Sequence, residues 1–515
     1  MPFSYVTQPL HGIFAGVGVG KLEARVLVRP AMRAGRSRAF HHSGFAVLLA
    51  LSAITATATA SSQDDASAPL MRVKALVDAG RFAEAGSAIT ETELTAPAAE
   101  AVALRDERER MRRILLDFTL DREQAMARVR RQVPDLSEEE FDRWDTAGLL
   151  EKRTIDGQVR YFSRAPSNLF RLSPEAFARR NPPTPLVDGP MERPNAHHRQ
   201  VRDAALSDSA ALHKVRVTQH LTVEANAVPA GETLRAWIPY PREIPGQQED
   251  LRLIGSAPAE HQVAPASAPM RTVYMEATAQ AGKPTKFEIN YELTVLGQFL
   301  LSGAAHEPIA ASPPALAEHL GERPPHIVFT PAIREFSRGI VGDETDKWVI
   351  AQKLFAAVDR IPWAGALEYS TIPNISEYAL QAGHADCGQQ TLLLMTLLRL
   401  NGIPARWQSG MVFSDGEYDN LHDWGWMHVE PHGWIPMDVT TGRMDDPDPA
   451  IAGFYLGGLD AYRIAFNDDH GRQFTPAKQH LRSDTVDSQR GEVEWRGGNL
   501  YFDQWDYGFV ATPQP

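Results

Sequence analysis

The chain has 515 residues, 43% of them hydrophobic, with 65 acidic against 52 basic side chains and a single cysteine. The net charge of −13 argues against sequence-independent nucleic-acid binding, which depends on basic surface. One cysteine excludes an intramolecular disulfide, and the length exceeds that of a usual single domain, so two to four domains are expected.

Residues 1–60 read as an export signal region, not as fold. Met32 to Ser43 carries Arg33, Arg36 and Arg38; Gly44 to Ile54 is an unbroken apolar and small run; Ala58-Thr59-Ala60 fits a signal-peptidase site. Translation starting at Met32 is an alternative. The run is about half the roughly 20 residues that span a bilayer, so no stable membrane span is expected after cleavage. The mature protein is expected to begin near Ser61 and to be periplasmic or secreted. These sixty residues hold six basic and one acidic side chain, so the remainder carries −18 of the total.

Residues 61–200 read as a helical module with a hairpin and a linker. Ser67 to Arg131 has helical periodicity, with a helix end and restart around Ala79-Gly80. Ser137 is the N-cap of a further helix, with Glu140 as the capping-box acid. Leu149 to Phe162 alternates around Asp156-Gly157, a two-residue hairpin turn, and Arg179 to His198 is linker-like. Nothing in this module suggests chemistry.

From 201 to 305 the period becomes two. Val215, Val217, Leu221 and Val223 share a parity, as do Phe287, Ile289, Tyr291, Leu293 and Val295. With Leu234 to Ile238 and Thr272 to Met275 they predict an antiparallel β-sandwich. Pro308 to Pro325 reads as a second linker, and 325–445 as the catalytic core. There Lys347 to Val358 is a helix, and Thr391 to Leu400 is an apolar helix stopped by Asn401-Gly402 and Pro404. Met427 to Met437 forms two strands around Glu430-Pro431-His432-Gly433. Residues 446–515 read as a short β-rich C-terminal extension, with a hairpin from Glu492 to Asp506 around Gly497-Gly498. The acidic stretches at 445–448 and 467–469 match no calcium-loop spacing and read as solvated turns, so no metal or cofactor is expected.

Cys387, in Asp386-Cys387-Gly388, opens the apolar helix. That position offers thiolate-favouring positive potential and free N–H groups for an oxyanion. Gly388 would let a substrate backbone approach. His422 stands thirty-five residues on, with His428 and His432 as competing bases, and Asp438 follows His422 by sixteen. Alone, His422 reads as well as a packed core histidine, and Asp438 as a cap for the turn at Thr440 and Thr441.

Together, Cys387, Gly402-Ile403-Pro404-Ala405-Arg406, His422-Asp423-Trp424 and Gly433-Trp434-Ile435-Pro436-Met437-Asp438 resemble the core of the transglutaminase-like superfamily. The resemblance implies a papain-like core in which Cys387 is the nucleophile, His422 the base and Asp438 its orienter. It favours His422 over His428 through the twelve residues between His422 and Trp434. Asp423 replaces a commonly small residue and is expected to face away. Trp363 and Gln381 are candidate oxyanion donors.

The expected whole is an α+β multidomain protein: helical N-terminal module, antiparallel β-sandwich, papain-like transglutaminase core and β-rich extension. Its expected function is that of an exported cysteine peptidase, amidase or protein-glutamine acyltransferase acting on peptide or protein amides. The alternative is a non-catalytic binding or scaffold protein on the same fold.

Overall fold

The computed structural model describes residues 67–181, 201, 203–204, 212–298, 313–413, 420–444 and 446–514. The export segment and most of the first linker lie outside the described residues.

Helix α1 (Ala68–Asp78) starts at Ser67, whose hydroxyl accepts the Leu70 N–H. It stops at Gly80, whose φ of 72° and close approach to the Thr154 carbonyl leave no room for a β-carbon. Helices α2 (Phe82–Glu93), α3 (Ala98–Asp117), α4 (Arg122–Arg130) and α5 (Glu138–Thr146) follow. Ser137 caps α5 as expected, at 3.1 Å from the Glu140 N–H. The Glu140 carboxylate bonds Arg179 at 2.8 Å instead of closing a capping box. Strands β1 (Lys152–Ile155) and β2 (Gln158–Tyr161) form the hairpin, with Asp156 and Gly157 at the positive φ its turn requires. Two short helices, α6 (Ala165–Leu172) and α7 (Pro174–Ala178), complete the module.

The period-two region forms β3 (Leu212–Val223), β4 (Thr233–Pro239), β5 (Gln248–Ala257), β6 (Gln262–Val263), β7 (Thr272–Thr278) and β8 (Thr285–Leu296). Phe287, Ile289, Tyr291 and Leu293 are buried on one face of β8, as their alternation predicts. The stretch expected as linker contains α8 (Pro313–Ala317). Next come α9 (Pro331–Val341), α10 (Lys347–Asp359), α11 (Ile375–Ala382) and α12 (Cys387–Leu400). Strands β9 (Ala405–Val412), β10 (Asn420–Val429) and β11 (Gly433–Met437) follow. After α13 (Pro449–Ala452), β12 (Arg463–Asn467) pairs with β9 and completes a sheet ordered β11-β10-β9-β12.

The last strands correct the expected C-terminal extension. β13 (Glu492–Trp495) and β14 (Gly498–Leu500) form the hairpin, but β13 pairs with β4, and β15 (Trp505–Gln514) pairs with β3 along its whole length. The chain end therefore supplies strands to both sandwich sheets. Hydrophobic alternation marks such strands but not their partners, which are more than 250 residues away. The turn at 467–469 is also not solvated: Asp469 bonds Arg323 and Arg472, and Asp468 lies 3.3 Å from Arg242. Among the described residues no helix is long and apolar enough to cross a membrane.

The helical module grips the loop between α10 and α11. Asn168 exchanges two 2.9 Å hydrogen bonds with the Gly365 backbone, and Arg110 donates to the Thr371 carbonyl at 3.1 Å. The Asp117 carboxylate accepts the Glu368 N–H and the Thr371 hydroxyl, both at 3.3 Å. Burial, and then the Glu368 charge, push Asp117 up to about 8. A carboxyl raised in the folded state holds a proton that the unfolded chain has already released. Its effect is therefore a loss of stability as pH rises from about 4 to about 8. Asp484 is raised to about 8 with the same sign, whereas His326, pushed down to about 4 by burial, acts only below about 6.5. The melting temperature is accordingly expected to fall between pH 6.5 and 8.5, and Asp117→Asn is expected to flatten that slope. Scanning calorimetry across the range checks both.

Candidate active site

Helix α12 begins at its own cap. Asp386 Oδ1 accepts the Gln389 N–H at 3.0 Å, and Gln389 Oε1 accepts the Asp386 N–H at 3.3 Å. Every leucine from 392 to 398 is buried, so the helix is held on all sides. This fixes Cys387 at the first helical position. Tyr369, in the 3-10 turn Tyr369–Thr371, donates its hydroxyl to Asp386 Oδ1 at 2.7 Å. Burial raises Asp386 to about 6 despite those donors.

The Cys387 thiol donates to Asp423 Oδ2 at 3.1 Å. Asp423 therefore faces the cysteine, contrary to the expectation that it turns away. Successive residues of a strand point to opposite faces. Asp423 takes the face of α12, where the Thr391 hydroxyl also bonds its carbonyl at 3.3 Å. His422 lies beside Trp424, with ring centroids 6.1 Å apart. Burial, then the Asp423 and Asp386 carboxylates, push the thiol well up.

Gly388 has a different reason from the one expected. A β-carbon there would strike the Tyr369 hydroxyl and come within 2.9 Å of Asp423 Oδ2, so the missing side chain admits these two groups, not a substrate. Gly388→Ala is expected to cost about 1–3 kcal/mol through overpacking. Urea denaturation of the two proteins measures it.

His422 Nε2 lies 2.8 Å from Asp438 Oδ2, and both side chains are buried. Asp438 also accepts the N–H groups of Thr440 and Thr441 and the Thr441 hydroxyl, and it is ion-paired at 2.6 Å with Arg463 Nη1. Burial would raise this carboxyl; His422 and then Arg463 outweigh it and hold Asp438 well below the usual carboxylate range. Its stabilising contribution is present above about 3.9 and is lost only as pH falls through the depressed folded value. With Nε2–H given to Asp438, Nδ1 is the basic nitrogen, and it has no hydrogen-bond partner.

The structure thus brings His422 to Asp438, and Cys387 to Asp423; thiol and imidazole are not hydrogen-bonded to each other. His428 packs edge-on against Trp434 and His432 against Trp348, and among the described residues neither has a carboxylate partner of the Asp438 kind. Trp363 pairs through its backbone with Ala385, and its buried indole N–H has no partner. Gln381 is exposed on α11. Sequence reasoning missed Tyr369 and Arg463: Tyr369 sits in an irregular loop, and Arg463 lies twenty-five residues beyond Asp438 on a strand whose pairing no local pattern shows. Among the described residues no cluster of three His, Cys, Asp or Glu could hold a metal ion.

Residues 334–439 match the transglutaminase-like superfamily. Similar solved structures include a candidate cysteine protease from Cytophaga hutchinsonii, 13% identical, covering 59% of this chain and 92% of that one with a TM-score of 0.38. They also include the periplasmic domain of TgpA from Pseudomonas aeruginosa, 13% identical, covering 47% and 91% with a TM-score of 0.25. No curated protein matches the sequence. The segment from 334 to 439, which carries Cys387, His422 and Asp438, is a domain of the transglutaminase-like superfamily.

Proposed function

We propose that this chain is an exported cysteine-dependent enzyme that acts on peptide or protein amides through a thioester. Cys387 is the nucleophile, His422 the general base and Asp438 the group that fixes its tautomer. The observation that carries this reading is the buried His422–Asp438 pair with its second ring nitrogen unpaired, inside a superfamily of generally cysteine-dependent enzymes.

For attack, the thiol gives up Asp423 and the neighbouring position of β10 turns His422 toward α12, so that the thiol passes its proton to Nδ1. The sulfur adds to the amide carbonyl, and the oxyanion forms beside the first-turn N–H groups of α12, with the unpaired Trp363 indole as a further donor. The imidazolium returns the proton to the departing amine, leaving an acyl-cysteine. Water then gives hydrolysis, and a lysine amine gives transamidation.

Mass spectrometry of a lysate incubated with the wild type or with Cys387→Ala tests this. New termini, deamidated glutamines or isopeptides should appear only with the wild type. N-terminal sequencing of protein from the native cell tests export, with a start near Ser61 expected; a soluble cytoplasmic product beginning at residue 32 or earlier contradicts it.

A second reading, a non-catalytic scaffold, is favoured by one observation: the resting thiol is bonded to a carboxylate instead of the imidazole. Equal product patterns from the wild type and Cys387→Ala would select it.

A further inference from the structure

The thiol sits among acids. Asp423 Oδ2 accepts its hydrogen bond at 3.1 Å, Asp386 caps the same helix turn, and burial, followed by the charge of Asp487 in the C-terminal segment, pushes Asp423 up. Asp423 is itself fixed: Gln489 Nε2 donates to its Oδ1 at 3.0 Å while also holding the His422 carbonyl at 2.8 Å. The nearby cations are engaged elsewhere. Arg490 pairs with Glu368 at 2.7 Å, and Arg463 with Asp438 and Asp460. Among the described residues no ion pair reaches Asp423. The remaining titratable neighbours are Tyr369, whose phenol is committed to Asp386, and Asp484, which precedes Asp487 in the same segment. His422 Nδ1 makes no hydrogen bond with the thiol.

A buried carboxyl and a thiol in hydrogen-bond contact, with no cation between them, accommodate one negative charge and not two. The carboxyl is the stronger acid and takes it. We propose that Asp423 is a positioning residue that keeps the proton on Cys387 in the resting protein, so that the thiolate forms only when the Sγ–Oδ2 bond is given up. Within the acyl-transfer reading, on which its consequence for catalysis rests, the exchange of Asp423 for His422 becomes the step that arms the nucleophile. No bond to carbon changes in that step: one proton moves from sulfur to Nδ1.

The test is alkylation by iodoacetamide from pH 5 to 10, followed by intact mass. Cys387 is the only cysteine, so every adduct reports on it. The midpoint of the rate profile reports thiol ionisation, and the high-pH plateau reports access. For Asp423→Asn the midpoint is expected to fall by at least about one unit, a tenfold gain in thiolate fraction at neutral pH. Gln489→Ala, which keeps the carboxylate, should retain the wild-type midpoint. Asp487→Asn, which removes the neighbouring acid without touching the thiol, should shift it the same way by less. This last variant carries the test if Asp423→Asn does not fold. A midpoint unmoved or raised in both acid variants overturns the proposal. The assay needs no substrate, so a shifted midpoint with no Cys387-dependent products in a lysate would sink the acyl-transfer reading and leave this one standing.

Discussion

Asp438→Asn is expected to lower turnover by about 10⁴-fold, the cost seen when a triad carboxylate loses tautomer control. The structure adds a second expectation. Asp438 receives donors from His422, Thr440 and Thr441 and is ion-paired with Arg463, and an asparagine amide can neither accept from all of these donors nor balance that charge. A loss of about 1–3 kcal/mol of stability should accompany the kinetic effect, without unfolding at room temperature. Turnover and denaturant midpoint measured on one preparation separate the two. Full turnover would show that Asp438 is only structural.

Arg463→Met should have the largest effect on stability. Its guanidinium is fully buried between Asp438 at 2.6 Å and Asp460 at 2.9 Å, and Tyr455 also donates to Asp460. Removing the cation leaves two carboxylates buried with less than their charge compensated, and breaking such an arrangement costs about 3–5 kcal/mol. Asp438 also loses the arginine that, with His422, holds it ionised. Its protonation should therefore begin at higher pH, and the acid limb of the rate profile should move upward. Arg463→Lys keeps the charge but not the two-carboxylate geometry, and should restore the acid limb better than the stability. Unfolding titrations at pH 7 and rate profiles from pH 4 to 8 measure these effects.

The helices, the hairpin at Asp156-Gly157 and the alternating strands were legible because each is decided locally, by caps, periodicity and turn residues. Gly80 and Ser137 do in the structure what their residue types suggest. Long-range pairing was not legible. Nothing near Trp505 tells that β15 lies along β3, so the C-terminal strands read as an appendage while they complete the sandwich. The site divides in the same way. The family resemblance, with its interval from His422 to Trp434, marked His422 and Asp438, which the structure places 2.8 Å apart. The partner of Cys387 depended on which face of β10 packs on α12, and a one-residue alternation reverses that choice. Gly388 was singled out for the right property and the wrong neighbour. The helical module, which suggested no chemistry, supplies the contacts that hold the loop bearing Trp363 and Tyr369.

The central claim is that Cys387 forms an acyl intermediate with His422 as its base. Acid quenching after brief incubation with a peptide-amide mixture, followed by intact mass and peptide mapping, tests it most directly. The account predicts an acyl adduct on Cys387 in the wild type, none in Cys387→Ala, and slow accumulation in His422→Gln. Amide products released at equal rates by the wild type and Cys387→Ala, with no adduct on Cys387, would contradict it.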